Sequence, residues 1–278
     1  MAVVQVDFFS QSLLRNSTFY AVIPCDKMYF DGRIRTPGPF KTLYLLHGVF
    51  GDYTDWLYGT RIQRWAQDRN LAVIMPSGEN KFYVDNEKST DKFSKYIEEL
   101  VAVSRHMFHL SNKREDTFIA GLSMGGYGAI TNGLKYSGLF SHIAGLSAAL
   151  HIDTFVDATE DAPLPIMRRS YLESVFGDLD ALQGSDKDFH ALAKRLTEEN
   201  KELPEIYLAC GTEDDLIGCN RAFRDELEQL GYPVTWKEGP GGHEWDFWDR
   251  MILDVLEWLP LDEVEQAVSS GNVMENEQ

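Results

Sequence analysis

The chain has 278 residues, room for one large α/β domain or two small ones, and its 44% hydrophobic and 25% charged content is that of a globular protein with a sizeable core. A net charge of −18 argues against nucleic acid and against anionic membrane surfaces as partners. No apolar run reaches the length of a membrane span, residues 1–7 lack the basic start of a signal peptide, and Cys25, Cys210 and Cys219 form an odd, sparse set without metal-ligand spacing, so the expected setting is the cytoplasm.

Residues 3–9 and 13–23 are rich in β-formers and read as antiparallel strands at a sheet edge. Asp31-Gly32 and Thr36-Pro37-Gly38-Pro39 mark a loop. The apolar run 42–46 ends at His47-Gly48 and reads as a strand covered on both faces. A short helix is expected over 62–68 and a second buried strand over 71–75, closed by Pro76. Between 92 and 108 the apolar positions Phe93, Tyr96, Ile97, Leu100 and Val101 recur at helical spacing. A strand over 117–120 leads into Gly121-Leu122-Ser123-Met124-Gly125-Gly126, and a helix begins after it. Further strands are expected at 142–147, 205–210 and 234–237, with helices at 220–230 and at 248–259. Strands alternating with helices from 42 to 259 predict a mostly parallel sheet with helices on both faces. The rhythm breaks over 151–201, which reads as a small cap-like insertion above the carboxyl ends of the strands, all within a single domain of residues 1–260. Residues 261–278 read as an acidic, disordered tail.

The pattern G-x-S-x-G between a strand and a helix is the context in which a sharp turn exposes a serine hydroxyl at the top of a sheet. A serine hydroxyl is a poor nucleophile unless a base removes its proton and a third group holds that base. In open α/β sheets such partners belong in loops beyond later strands. The loop 211–217 offers Asp214, with Asp215 as the less favoured neighbour, and the Gly- and Pro-rich loop 239–245 offers His243. His106, His109, His142, His151 and His190 read as packed or surface histidines. The expected set is therefore Ser123 as nucleophile, Asp214 as acid and His243 as base. The amides of Met124, at the helix start, and of Val49, after Gly48, are the candidate oxyanion donors. Phe50, Trp56 and Trp245 are candidate pocket walls, with core packing an equal alternative for Trp56, and His47 reads as a brace for its loop.

With these residues in place the chain resembles the bacterial tributyrin-esterase branch of the esterase D-like α/β-hydrolases, close to bacterial feruloyl esterases and S-formylglutathione hydrolases. The resemblance rests on Tyr44 to Gly48, Trp56-Leu57, Phe82 to Asp85, Lys113 to Gly128, Cys210-Gly211 with Asp214, and His243-Glu244-Trp245. It implies the α/β-hydrolase fold and a carboxylic ester hydrolase with a Ser–His–Asp triad, needing no metal or organic cofactor. It implies a small-molecule ester substrate with a short acyl or an aryl group, feruloyl or acetyl carbohydrate esters included, and self-association into a homo-oligomer. Residues 49–53 and 151–201 depart from the family pattern, and both would shape the substrate pocket. An S-formylglutathione hydrolase-like thioesterase or an acyltransferase would use the same residues. A non-catalytic binding module on this scaffold fits less well, because decay usually removes one member of the set.

Overall fold

The computed structural model describes residues 2–29 and 38–263. The loop markers Asp31-Gly32 and Thr36-Pro37 and most of the tail beyond residue 263 lie outside the described residues. No helix among the described residues is long and apolar enough to cross a membrane.

An eight-stranded sheet runs in the order β1-β2-β4-β3-β5-β6-β7-β8. β1 (Ala2–Ser10) and β2 (Arg15–Ile23) form an antiparallel hairpin at one edge, and β2 joins β4 (Ala72–Pro76) antiparallel. From there β3 (Thr42–Leu46), β5 (Thr117–Leu122), β6 (His142–Leu146), β7 (Glu205–Gly211) and β8 (Val234–Gly239) run parallel. β3, β4 and β5 are buried along their whole length, which is why they read as unbroken apolar runs instead of alternating ones. This is the mostly parallel, helix-flanked sheet that the strand and helix rhythm implied, and the α/β-hydrolase fold that the resemblance implied.

Each face of the sheet carries its own core. One holds α3 (Phe93–Met107), α4 (Met124–Lys135), α7 (Phe189–Glu198) and α8 (Ile217–Gln229). The other holds α1 (Asp55–Gly59), α2 (Ile62–Asp68) and α9 (Trp245–Trp258). Two boundaries differ from the sequence expectation: α8 starts at Ile217, not 220, and α9 at Trp245, not 248. Both extra turns are polar or mixed, so their periodicity is weak. The stretch 151–201 resolves into α5 (Ile152–Val156), α6 (Arg169–Phe176) and α7. α7 packs on α4 and lies between β6 and β7 in the chain, so the alternation is interrupted only as far as residue 188. Its start is signalled by Asp188, whose carboxylate accepts from the amides of His190 and Ala191. Its buried positions Phe189, Leu192, Ala193 and Leu196 follow helical spacing.

The edge hairpin is tied to the body through Glu99 on α3. Its carboxylate accepts from the Ser10 hydroxyl at 2.7 Å and from the amides of Gln11 and Ser12 at 2.7 and 3.1 Å. Burial alone would push this carboxyl up, but the hydroxyl and amide donors outweigh it and hold it below the usual range. A carboxyl lowered by folding stabilises the protein above its unfolded pKa, and that share is lost as pH falls through the folded one. Glu99→Ala should therefore cost about 2 kcal/mol at neutral pH. In urea unfolding, the gap to the parent protein should narrow below roughly pH 4; an equal gap at both pH values would contradict this.

Candidate active site

Ser123 sits between β5 and α4 with φ +53° and ψ −118°, a backbone conformation that side chains rarely adopt. The turn is held by three backbone bonds: Ser123 N–H to the Leu146 carbonyl at 2.9 Å, Tyr127 N–H to the Ser123 carbonyl at 3.0 Å, and Ala149 N–H to the same carbonyl at 3.1 Å. β5 and α4 approach so closely that a Cβ on Gly121 would lie 2.2 Å from the Gly125 carbonyl oxygen. Strain at one residue, surrounded by tight backbone contacts, leaves the Ser123 hydroxyl projecting from the carboxyl end of the sheet.

The structure brings Ser123, His243 and Asp214 into one line. His243 Nε2 is 3.0 Å from Ser123 Oγ, and His243 Nδ1 is 2.9 Å from Asp214 Oδ2. Asp214 is buried while Asp215 is exposed, and it is Asp214 that meets His243. Burial alone would raise the Asp214 carboxyl. The His243 hydrogen bond, the Leu216 amide at 2.9 Å on Oδ1 and the nearby Ser147 hydroxyl overcome that, and the carboxyl is lowered. An acceptor-only carboxylate on Nδ1 fixes the tautomer: Nδ1 carries the proton, and Nε2 is left to accept from the serine. The loops carrying Asp214 and His243 are joined as well. Thr212 N–H donates to the Gly239 carbonyl at 2.9 Å, and the Gly241 amide donates to Glu213 at 2.5 Å.

The loop after β3 runs beside the serine, since a Cβ on Gly48 would come within 3.5 Å of Ser123 Cβ. The amides of Val49 and Met124 have no acceptor among the described residues. His47 is buried and braces this loop from below. Its Nε2 accepts from the Gly78 amide at 2.8 Å, so Nδ1 carries the proton and donates to the Gly48 carbonyl at 2.6 Å. Burial pushes its pKa down, in keeping with a neutral ring. Phe50, with φ +68°, is held by its amide, which donates to Asn80 Oδ1 at 2.7 Å; the Asn80 carbonyl in turn accepts from the Tyr171 hydroxyl on α6 at 2.7 Å.

The candidate pocket residues part ways. Phe50 is exposed next to Val49. Trp245 is half-buried and covers Gly59. Trp56 takes the core-packing alternative: it is buried, its indole N–H donates to the Leu46 carbonyl at 2.9 Å, and its ring meets Trp245 edge-on at 5.5 Å. It supports Trp245 from the core side. Ser147, Trp248, Asn80 and Tyr171 surround the site and went unnoticed in the sequence. Only Ser147 carried a signal, as the residue closing a strand in the layer where ligands bind. Among the described residues no group of three or more His, Cys, Asp or Glu is gathered as metal ligands.

Comparison with known proteins places this geometry in context. The family model described as "Putative esterase" matches residues 10–259. An acetyl esterase of Caldicellulosiruptor saccharolyticus is 43% identical over 262 residues, covering 93% of this chain and 98% of that protein. The substrate-bound structure of FphF, a fluorophosphonate-binding serine hydrolase of Staphylococcus aureus, is similar with a TM-score of 0.83 at 31% identity, covering 93% of this chain and 98% of that one. The S-formylglutathione hydrolase FrmB of the same organism is similar with a TM-score of 0.80, at the same identity and coverage.

Proposed function

The chain belongs to the "Putative esterase" family and is a serine carboxylesterase, and from that premise we propose that it hydrolyses short-chain acyl esters, acetyl esters foremost, through Ser123, His243 and Asp214. The observation that carries the proposal is the pair of distances, 3.0 Å from His243 Nε2 to Ser123 Oγ and 2.9 Å from Nδ1 to Asp214. His243 takes the Ser123 proton as Oγ bonds to the acyl carbon. The carbonyl oxygen, now negative, is met by the amides of Val49 and Met124. The C–O bond to the alcohol breaks as His243 returns the proton to it, leaving an acyl-serine. Water, deprotonated by the same imidazole, then releases the acid and restores Ser123. Asp214 stays ionised throughout and stabilises the imidazolium.

The acetyl preference draws on the acetyl esterase relative. Aryl and feruloyl esters stay within the proposed range, with Phe50 and Trp245 as candidate contacts. A thioesterase reading is favoured by one observation, the similarity to FrmB at 31% identity. We further assign residues 1–260 to one catalytic unit in which the insertion 151–201 supplies a cap through its part before α7, supported by the Tyr171–Asn80–Phe50 chain of hydrogen bonds into the Val49 loop. Residues 261–278 are the acidic tail. The cytoplasmic assignment rests on the odd, sparse cysteine set, and self-association on the family resemblance.

The test is a substrate panel: p-nitrophenyl esters from acetate to octanoate, methyl ferulate, acetylated sugars and S-formylglutathione. The acetate or butyrate ester should give the highest kcat/KM, with a fall of at least about tenfold by octanoate, since each methylene that does not fit is worth that much. A maximum at octanoate or at the thioester would overturn the acyl-ester assignment.

A further inference from the structure

Ser123 is not the only strained serine at this end of the sheet. Leu122 and Leu146 are paired in register at the ends of β5 and β6, and the residue directly after each strand is a serine with positive φ, +53° at Ser123 and +45° at Ser147. Ser147 is fully buried, and its backbone is fixed by an N–H donated to the Ala209 carbonyl at 2.7 Å. Its Oγ lies 3.1 Å from Trp248 Nε1. An indole N–H can only donate, so Ser147 must accept there, and its own proton is turned elsewhere. A buried hydroxyl proton needs an acceptor. Asp214, just past the end of β7 beside β6 and already bonded to His243 at 2.9 Å, is the carboxylate within its influence, whereas the neighbouring Cys210 thiol, pushed up to about 12 by burial, is neutral and a weak acceptor. The same Trp248 ring also meets His243 edge-on, with centroids 4.9 Å apart at 89°.

We propose that Trp248 and Ser147 form a positioning pair: the indole N–H orients the Ser147 hydroxyl toward Asp214 while the indole ring sets the tilt of His243. The pair thus acts on two members of the triad from one residue of α9, and it rests on the reading of Ser123, Asp214 and His243 given above. Neither residue touches the reacting atoms. Their effect runs through the geometry and charge of the carboxylate–imidazole pair; removing the partner that orients a metal-bound histidine costs about 10–100-fold, and the same dependence on ring orientation is expected here.

Trp248→Phe keeps a ring against His243 and removes only the N–H donor. It should lower kcat about tenfold and leave KM unchanged. Ser147→Ala should lower kcat at least as far. His243 and Cys210 are the titratable groups that act on Asp214 among the described residues, so losing the hydroxyl leaves more of its charge to His243, and the acid limb of kcat/KM should move to higher pH. The double variant should be no slower than Ser147→Ala alone, because both changes break one chain. If Trp248→Phe turns over like the parent enzyme, or if the two changes multiply independently, the pair has no positioning role. Should Ser147→Ala fail to fold, Trp248→Phe alone still decides. Stoichiometric labelling of the parent enzyme at Ser123 by a fluorophosphonate separates the two levels: without labelling the triad itself is wrong, whereas labelling with an unaffected Trp248→Phe rejects the pair only.

Discussion

Ser123→Ala should lower kcat on p-nitrophenyl acetate by about four orders of magnitude or more, with KM little changed and fluorophosphonate labelling abolished. The size follows from what is removed. Without Oγ there is no acyl-enzyme, and His243 can at best activate a water that lacks the fixed 3.0 Å relation to Nε2. What survives is substrate binding and the proposed oxyanion amides, which alone leave a small residue of catalysis. The fold should be untouched. The Cβ is kept, so the backbone strain at φ +53° is no greater for alanine than for serine, and the turn is held by main-chain bonds to Leu146, Tyr127 and Ala149. Thermal unfolding should therefore coincide with that of the parent enzyme. Retention of more than about 1% of kcat at unchanged stability would mean that another group carries the acyl chemistry.

The elements that place this serine were legible because their signals are local. β3 and β5 are continuous apolar runs, each closed by glycine or a polar turn, and the elbow announces itself by glycines where no side chain fits. Asp214 and His243 were legible for a topological reason: ligands gather beyond strand ends, and each follows one. The rest depends on contacts between segments far apart in the chain. Trp56 belongs to a short helix too brief for periodicity to mark, and only the Leu46 carbonyl above its indole decides that it is core. Ser147 reads as the last residue of a strand until β6 is set beside β5. Trp248 reads as one apolar position of an amphipathic helix until its N–H is seen to point at Ser147, 101 residues away. Asn80 and Tyr171, 91 residues apart, have no common motif at all. α7 was legible in retrospect from the Asp188 cap and the spacing of Phe189, Leu192 and Leu196, but the polar, charged stretch before it hid the return of the strand–helix rhythm.

Gly125→Ala is expected to damage the fold severely. A Cβ there would lie 2.3 Å from the Leu46 carbonyl oxygen, 2.5 Å from that of His47 and 2.6 Å from the Leu46 carbonyl carbon. All three are backbone atoms at the end of β3, and Leu46 is held in register against Gly121 of β5. No rotamer change can relieve the clash: either α4 lifts from the sheet or β3 slips. The cost should therefore reach the upper end of overpacking penalties, about 3 kcal/mol or more, which lowers Tm by roughly 10 °C in a chain of this size. Activity should fall further than stability does, because the displaced atoms include the Met124 amide at the helix start and the His47–Val49 loop, the two proposed oxyanion donors. Gly138→Ala is the control. Nothing lies within 4 Å of the Cβ it would add, so Tm should stay within about 2 °C of the parent value. Equal melting of Gly125→Ala and Gly138→Ala would show that β3 and α4 are not pressed together as the structure has them. The proposed aim of the Met124 amide at the carbonyl oxygen would then lose the close approach that supports it.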